Sequence, residues 1–302
     1  MSTDTEHSLS LSDLRCLIAW LRQRFGHDFS NYAPASFMRR VQHALRRSGY
    51  ESVLELKNAV EKGTIGLDEL LQLLTVSVSE MFRDPEYFFS LRENVIPHLH
   101  TYPSIRVWIA GCSTGEEACS MAILLHEENL LDRTILYATD INATAIEKAR
   151  RGIYPLEQLQ NYTRNYQRAG GKRAFSDYYT AAYGSVRFDP ALQRRITFAE
   201  HSLATDASFA EMNLISCRNV LIYFNRSLQA RAFGVFQESL CRQGFLGLGM
   251  RETVEFSPAG EHFDTFDHAN RIYRTKLNVR EQPGITHVGR IKATSQWERR
   301  TT

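Results

Sequence analysis

The stretch that most constrains this chain runs from Ile105 to Asp140. Ile105 to Ala110 is a short apolar run (Ile-Arg-Val-Trp-Ile-Ala). Gly111-Cys112-Ser113-Thr114-Gly115-Glu116-Glu117 follows, then an apolar stretch of helical spacing, then a second apolar run that stops on Asp140. An apolar β-branched run bounded by glycine and followed by helical periodicity predicts strand–turn–helix. A second strand with an acid at its end completes the first half of a nucleotide-binding α/β fold. Glycine lets the backbone approach a ligand closely, and the helix start offers free N–H groups. Asp140, roughly 20 residues beyond the glycine turn, stands where an acid can accept hydrogen bonds from both ribose hydroxyls.

A dinucleotide fold calls for GxGxxG, and here only Gly111 and Gly115 are present. Glu116 and Glu117 follow at once, where a pyrophosphate would meet like charge. That argues against NAD and for a nucleoside without phosphates, such as S-adenosylmethionine (SAM). The plainer alternative, that both acids merely favour the positive end of the helix dipole, is left open by the turn alone.

The rest of the chain supplies context. Ser10 with Asp13 resembles a capping box, and Leu14, Leu17, Ile18, Leu21 and Phe25 share one helical face. A second helix is expected from about Ala35 to Arg47, with Phe37, Val41 and Leu45 inward and Arg39, Arg40, Arg46 and Arg47 exposed. Ser52 with Glu55 reads as a second capping box, with Gly63 ending that helix, and Leu67 to Val76 as a fourth. Residues 10–76 are thus expected to form a small helical domain, after a disordered stretch 1–9. A junction, 77–85, contains Ser77, Ser79, Arg83 and the pair Asp84-Pro85, which reads as an N-cap and first turn. Domain junctions are common ligand sites. Beyond Asp140, Asn142 caps a helix to Arg151, and Pro155 to Arg168 reads as helical. A short antiparallel insert is expected near 174–195. Strands follow at Ile196–Ala199 and Met212–Cys217. A helix, Ser227–Leu240, is closed by Gly244, and further strands fall at Phe245–Leu248, near Phe263 and at Ile272–Arg274. Residues 86–278 would form a mostly parallel sheet with helices on both faces, and 279–302 a loose tail. Its ligand rim would hold Gly111 to Glu117, Asp140, Ser202, and Cys217 with Arg218.

Composition sets limits on function. A net charge of +2 on 302 residues gives no global reason to expect nucleic acid. Five scattered cysteines suit a reducing cytosol, and none pairs with histidine at zinc-ligand spacing, so no metal is expected. The polar start lacks the apolar core of a signal peptide, and no run approaches a membrane span. A cytoplasmic protein, without membrane insertion and monomeric, is the expectation.

Four blocks together resemble the CheR-type chemotaxis-receptor methyltransferases, over roughly residues 10–277. They are the junction (Ser77 to Arg83), Ser-Thr-Gly-Glu-Glu (Ser113 to Glu117), Ala-Thr-Asp-Ile-Asn (Ala138 to Asn142) and Cys-Arg-Asn-Val-Leu-Ile-Tyr-Phe (Cys217 to Phe224). The resemblance implies a class I, Rossmann-like SAM-dependent methyltransferase domain behind a small all-helical domain. The implied reaction is methylation of glutamate carboxylates on the cytoplasmic helical region of a chemoreceptor-like protein, leaving S-adenosylhomocysteine. It implies Glu117 at the amino-acid end of SAM and Asp140 at the ribose. Ser77, Ser79, Arg83, Gly111, Ser202, Leu203, Cys217 and Arg218 would be further cofactor contacts, and Tyr223 would lie beside the transferred methyl, with Arg83 sharing the catalytic role. The basic helix would dock the substrate. The chain departs from the family where Ser77, Ser79 and Ser202 replace asparagine or threonine, and where Gly249-Met250-Arg251-Glu252 replaces Gly-His-Ser-Glu. No glycine-rich loop in the insert suggests a receptor-tail tether. The competing readings are a methyltransferase of this fold acting on another acceptor, and a SAM-sensing module without catalysis.

Overall fold

The computed structural model describes residues 9–75 and 79–277. Ser77 and the expectations for residues 1–8 and 278–302 lie outside the described residues.

Helices α1 (Leu11–Phe25), α2 (Pro34–Ser48), α3 (Val53–Glu61) and α4 (Leu67–Leu74) enclose a core that includes Leu17, Phe29, Phe37, Val41, Leu56 and Leu70. The capping box at Ser10 forms in both directions, with Asp13 N–H donating to Ser10 Oγ and Ser10 N–H to Asp13 Oδ2, each at 3.1 Å. At α3 only half of it forms. Ser52 Oγ accepts from Glu55 N–H at 3.2 Å, but the Glu55 carboxylate takes Glu51 N–H, one residue further out.

After the junction come α5 (Pro85–Ser90), a π-helical turn Leu91–Val95, and α6 (Ile96–Leu99). Then β1 (Ile105–Ala110), α7 (Glu116–Glu127), β2 (Thr134–Asp140) and α8 (Ala143–Arg151) form the stretch that organises the domain. The chain continues through β3 (Ile153–Pro155), α9 (Leu159–Arg168), β4 (Tyr179–Ala182), β5 (Ser185–Phe188) and α10 (Pro190–Gln193). It ends with β6 (Ile196–Glu200), β7 (Met212–Cys217), α11 (Arg226–Ser239), β8 (Leu240–Leu248), β9 (Phe263–Asp267) and β10 (Ile272–Thr275).

Seven strands make one sheet in the order β6-β2-β1-β7-β8-β10-β9. The first five are parallel, and β10 lies antiparallel to both β8 and β9. Alternate residues of β1 serve opposite cores: Val107 and Ile109 pack on one face, Trp108 and Ala110 on the other. That is why the strand reads as a continuous apolar run. The strand order reverses between β1 and β7, so their connections diverge and leave a crevice at their carboxyl ends. Ile141, just past β2, packs against the helical-domain core and so brings that domain over the crevice.

Two boundaries differ from expectation. The helix expected from Pro155 begins at Leu159, because Ile153–Pro155 is a strand with Tyr154 buried opposite Val186; the antiparallel insert is therefore three-stranded, β3-β5-β4. Gly244 does not close α11 but lies inside β8, where an added Cβ would stand 3.0 Å from Cys241 O. Among the described residues no helix is long and apolar enough to cross a membrane.

Candidate active site

The turn after β1 is built for close approach. Gly111 has φ +80°, and a Cβ there would stand 2.4 Å from Val220 Cγ2. Gly115 has φ +92°, and its Cβ would meet Ala149 Cβ at 2.7 Å. Both glycines are thus required by conformation and by space. Asp140 closes the turn. Its Oδ2 accepts from Ser113 N–H and its Oδ1 from Asn142 N–H, each at 2.9 Å. Burial pushes its pKa up, while the N–H groups of Asn142, Ser113 and Ile141 pull the other way. Each oxygen retains acceptor capacity, since a carboxylate offers about four lone-pair sites.

The two glutamates at the start of α7 have different surroundings. Glu116 is buried, accepts from Thr114 Oγ, and does not line the cavity. Burial raises its pKa, opposed by hydrogen bonds that include the Thr114 and Ser79 hydroxyls. Glu117 faces the cavity. Its Oε1 accepts from Ser216 Oγ at 2.6 Å and its Oε2 from Arg218 Nη1 at 3.1 Å. Arg218 is the buried hub behind it. Its Nη2 donates to Asp84 Oδ2 and to Arg83 O, both at 2.7 Å, and its guanidinium lies 4.2 Å from the Tyr87 ring centroid. Asp84 therefore does not cap α5 as expected. It sits at φ +52° with no side-chain cap bond, and its carboxylate pairs with Arg218.

One cavity gathers most of the residues singled out from sequence: Ser79, Arg83, Gly111, Glu117, Asp140, Ser202, Leu203, Arg218 and Tyr223 all line it. Ser202 also turns inward on its own loop, its Oγ accepting from Ala204 N–H at 3.3 Å. The side chains of Arg83 and Tyr223 make no hydrogen bond or ion pair to a described residue. Cys217 is a correction: it does not line the cavity but is fully buried at the end of β7, packed among Trp108, Ala110 and Leu221. Burial pushes its thiol well up, with Glu252 and Glu117 adding to the effect, so it is no nucleophile.

The basic helix needs a second correction. Arg39, Arg46 and Arg47 are exposed on α2, but Arg40 is half-buried and lines the cavity with Tyr32, Ser36, Phe37, Leu74 and Thr75. The helical domain is thus a wall of the site. Sequence periodicity marks Phe37 as core but carries no sign that it also faces a ligand. His201, which drew no functional reading from sequence, lines the cavity too, with Nε2 3.1 Å from Ala207 O and burial lowering its pKa.

These side chains fit SAM. Asp140 and Glu117 bring negative charge to the rim where a cationic sulfonium compound with an ammonium group would lie. Ile141, Leu203 and Val220 offer apolar surface for a flat base. Ser113 Oγ, buried without a partner among the described residues, is a hydroxyl that such a ligand could satisfy.

Comparison with known proteins agrees with this chemistry. Residues 12–75 match the CheR methyltransferase all-alpha domain, and residues 77–270 match the CheR methyltransferase SAM-binding domain. A putative methyltransferase, Cher3, of Pseudomonas putida is 52% identical over 262 residues, covering 87% of this chain and 96% of that protein. A chemotaxis protein methyltransferase of Listeria innocua is 29% identical, covering 78% and 87% respectively. Another from Borreliella burgdorferi is 27% identical, covering 82% and 90%. The chain belongs to the CheR family of SAM-dependent methyltransferases.

Proposed function

We propose that this protein, acting as a cytoplasmic monomer, methylates glutamate side chains on an acidic helical segment of a chemoreceptor-like protein. The observation that carries the reading is the shared cavity: Asp140 and Glu117 on the sheet rim, Tyr223 on the β7 loop, and Arg40 on the basic helix α2 all line it. A carboxylate-bearing chain bound along α2 would be held by charge and would reach Tyr223 from that side.

SAM, when bound, supplies an electrophilic methyl on sulfur and leaves as neutral S-adenosylhomocysteine. The protein's own residues bind and orient. Asp140 accepts from the ribose hydroxyls, and Glu117, held by Ser216 and Arg218, accepts from the ammonium of the amino-acid end. Arg83 serves the carboxylate of that end rather than the acceptor, because strong pairing with the nucleophile would lower its reactivity. Tyr223 orients the acceptor carboxylate. A glutamate has a pKa of about 4.3, so it is ionised at neutral pH and no general base is needed. The acceptor's anion is consumed as the new C–O bond forms, and the C–S electron pair stays on sulfur. Charge disperses in that transition state, so an acceptor that displaces water from the cavity as it binds favours it. Placing the two reactants supplies most of the rest.

The test is labelling of receptor cytoplasmic fragments with methyl-labelled SAM. Base-labile label on glutamate supports the proposal. Label on another acceptor alone would move the function to a different substrate, and SAM binding with no transfer to any glutamate would leave a sensing module.

A further inference from the structure

Glu252 is 4% exposed and forms no ion pair with a described residue, an unusual state for a carboxylate. It is surrounded instead by backbone donors. Its Oε2 accepts from Gly249 N–H at 2.7 Å and Asn219 N–H at 2.9 Å, and its Oε1 from Ile222 N–H at 3.2 Å. The Leu221 N–H is also directed at it. Three of these four donors belong to one loop, 219–222, which leads directly into Tyr223. Asn219 sits at φ +60°, in the left-handed region that asparagine enters more readily than most non-glycine residues. Gly249 completes the arrangement, because a Cβ there would stand 2.7 Å from Glu252 Oε2 and 2.8 Å from Asn219 N.

We infer that Glu252 is a positioning residue for methyl transfer, its carboxylate gathering the amides of 219–222 so that Tyr223 is presented to the cavity in one place. The opposite end of the segment is fixed separately, by Ala33 N–H donating to Tyr223 O at 2.8 Å and Asn225 N–H to Asn31 O at 2.9 Å. Gln229 Nε2 holds two carbonyls of the segment, Leu221 O at 2.9 Å and Phe224 O at 3.2 Å, whereas the Glu252 carboxylate gathers its amides. Arg251 next to it is exposed, whereas the Glu252 carboxylate is buried and helps to push up the Cys217 thiol. The inference rests on the reading of Tyr223 given above.

The test is Glu252→Gln in the full chain, which keeps the shape but turns a donor toward N–H groups that need an acceptor. The expected result is a fall in kcat of about 10- to 100-fold, as a misplaced catalytic group gives, with a smaller weakening of SAM binding, since Val220 of the same loop lines the cavity. Amide hydrogen exchange should quicken at 219–222 and not elsewhere. Gly249→Ala, which intrudes on the same contacts, should act in the same direction, and it decides the matter by the same readouts if Glu252→Gln does not fold. A kcat within about twofold of wild type, or unchanged exchange at 219–222, overturns the inference. Tyr223→Phe is measured alongside. If it lowers kcat while Glu252→Gln does not, Glu252 has no positioning role. If it leaves kcat unchanged, the reading of Tyr223 fails instead, and exchange at 219–222 alone decides whether Glu252 holds the loop.

Discussion

Arg218 is 1% exposed at its side chain and faces two carboxylates, Glu117 and Asp84, while also donating to Arg83 O. A cation in that position is held by its partners, and they are held by it. Replacing it with a neutral side chain leaves Glu117 and the one-third exposed Asp84 without their cation, a change that costs about 1–3 kcal/mol once solvent screening of Asp84 is allowed for. Arg218→Met should therefore lower the melting temperature by roughly 2–12 °C in calorimetry, and SAM binding should weaken because Glu117 loses its anchor. An Arg218→Met protein that melts with the wild type would contradict the network. Asp140 differs in that both its oxygens accept from backbone N–H groups. Asp140→Asn turns an NH2 toward one of those donors, so it should weaken SAM binding by about 10- to 100-fold, the worth of a charge-assisted hydrogen bond, and lower fold stability by about 1–3 kcal/mol. The sequence places Asp140 at the end of a strand, and there it lines the cavity. It misplaces Asp84, because Asp-Pro signals a cap locally while Arg218, far away in sequence, competes for the carboxylate and wins by charge.

At the scale of elements, α2 has two faces with two tasks. Phe37 and Val41 fill the helical core, whereas Arg39, Arg46 and Arg47 lie in solvent. Reversing those three charges to glutamate should raise the Michaelis constant for an acidic acceptor and leave the SAM Kd unchanged. An unchanged Michaelis constant would remove α2 from acceptor binding. The packing of α7 against the insert supplies a pH prediction. Burial raises the pKa of Glu127, but the Tyr166 and Tyr178 hydroxyls, Arg92 and the Lys172 N–H outweigh it, so the carboxyl is held below its ordinary value. A group depressed in the folded state contributes stability that is complete above its unfolded pKa of about 4.3 and is lost as pH falls through the folded value. Glu127→Gln should thus be less stable than wild type in urea at pH 7, and the gap should narrow below about pH 4. A gap that does not change with pH would mean that charge is not what Glu127 contributes. Helix and strand periodicity made α1, α2, β1, β2 and β7 legible. Tyr154 was not, because only its pairing with β5 makes Ile153–Pro155 a strand.

Over the whole molecule, the site exists because two separately packed units meet. The sheet supplies Gly111, Glu117, Asp140 and Leu203, and the helical domain supplies Tyr32, Ser36, Arg40 and Thr75. Gly111, Glu117 and Asp140 could be read from the chain, since glycine turns and strand ends have local signatures, whereas Leu203 was implied by the family resemblance alone. The helical-domain group could not, because which helix face covers the crevice is decided by packing across the junction, including Ile141 against the helical core. Cys217 illustrates the same limit in reverse. Its place at a strand end suggested a lining residue, yet its side chain packs into the core and Arg218, the next residue, faces the site. The account as a whole requires that this composite cavity hold a sulfonium nucleoside. Isothermal titration of the full chain with SAM and with S-adenosylhomocysteine tests that most directly. The prediction is one site of roughly micromolar affinity, about −8 kcal/mol, weakened for both ligands in Asp140→Asn. Absence of binding to either ligand, or binding that Asp140→Asn leaves unchanged, would contradict it.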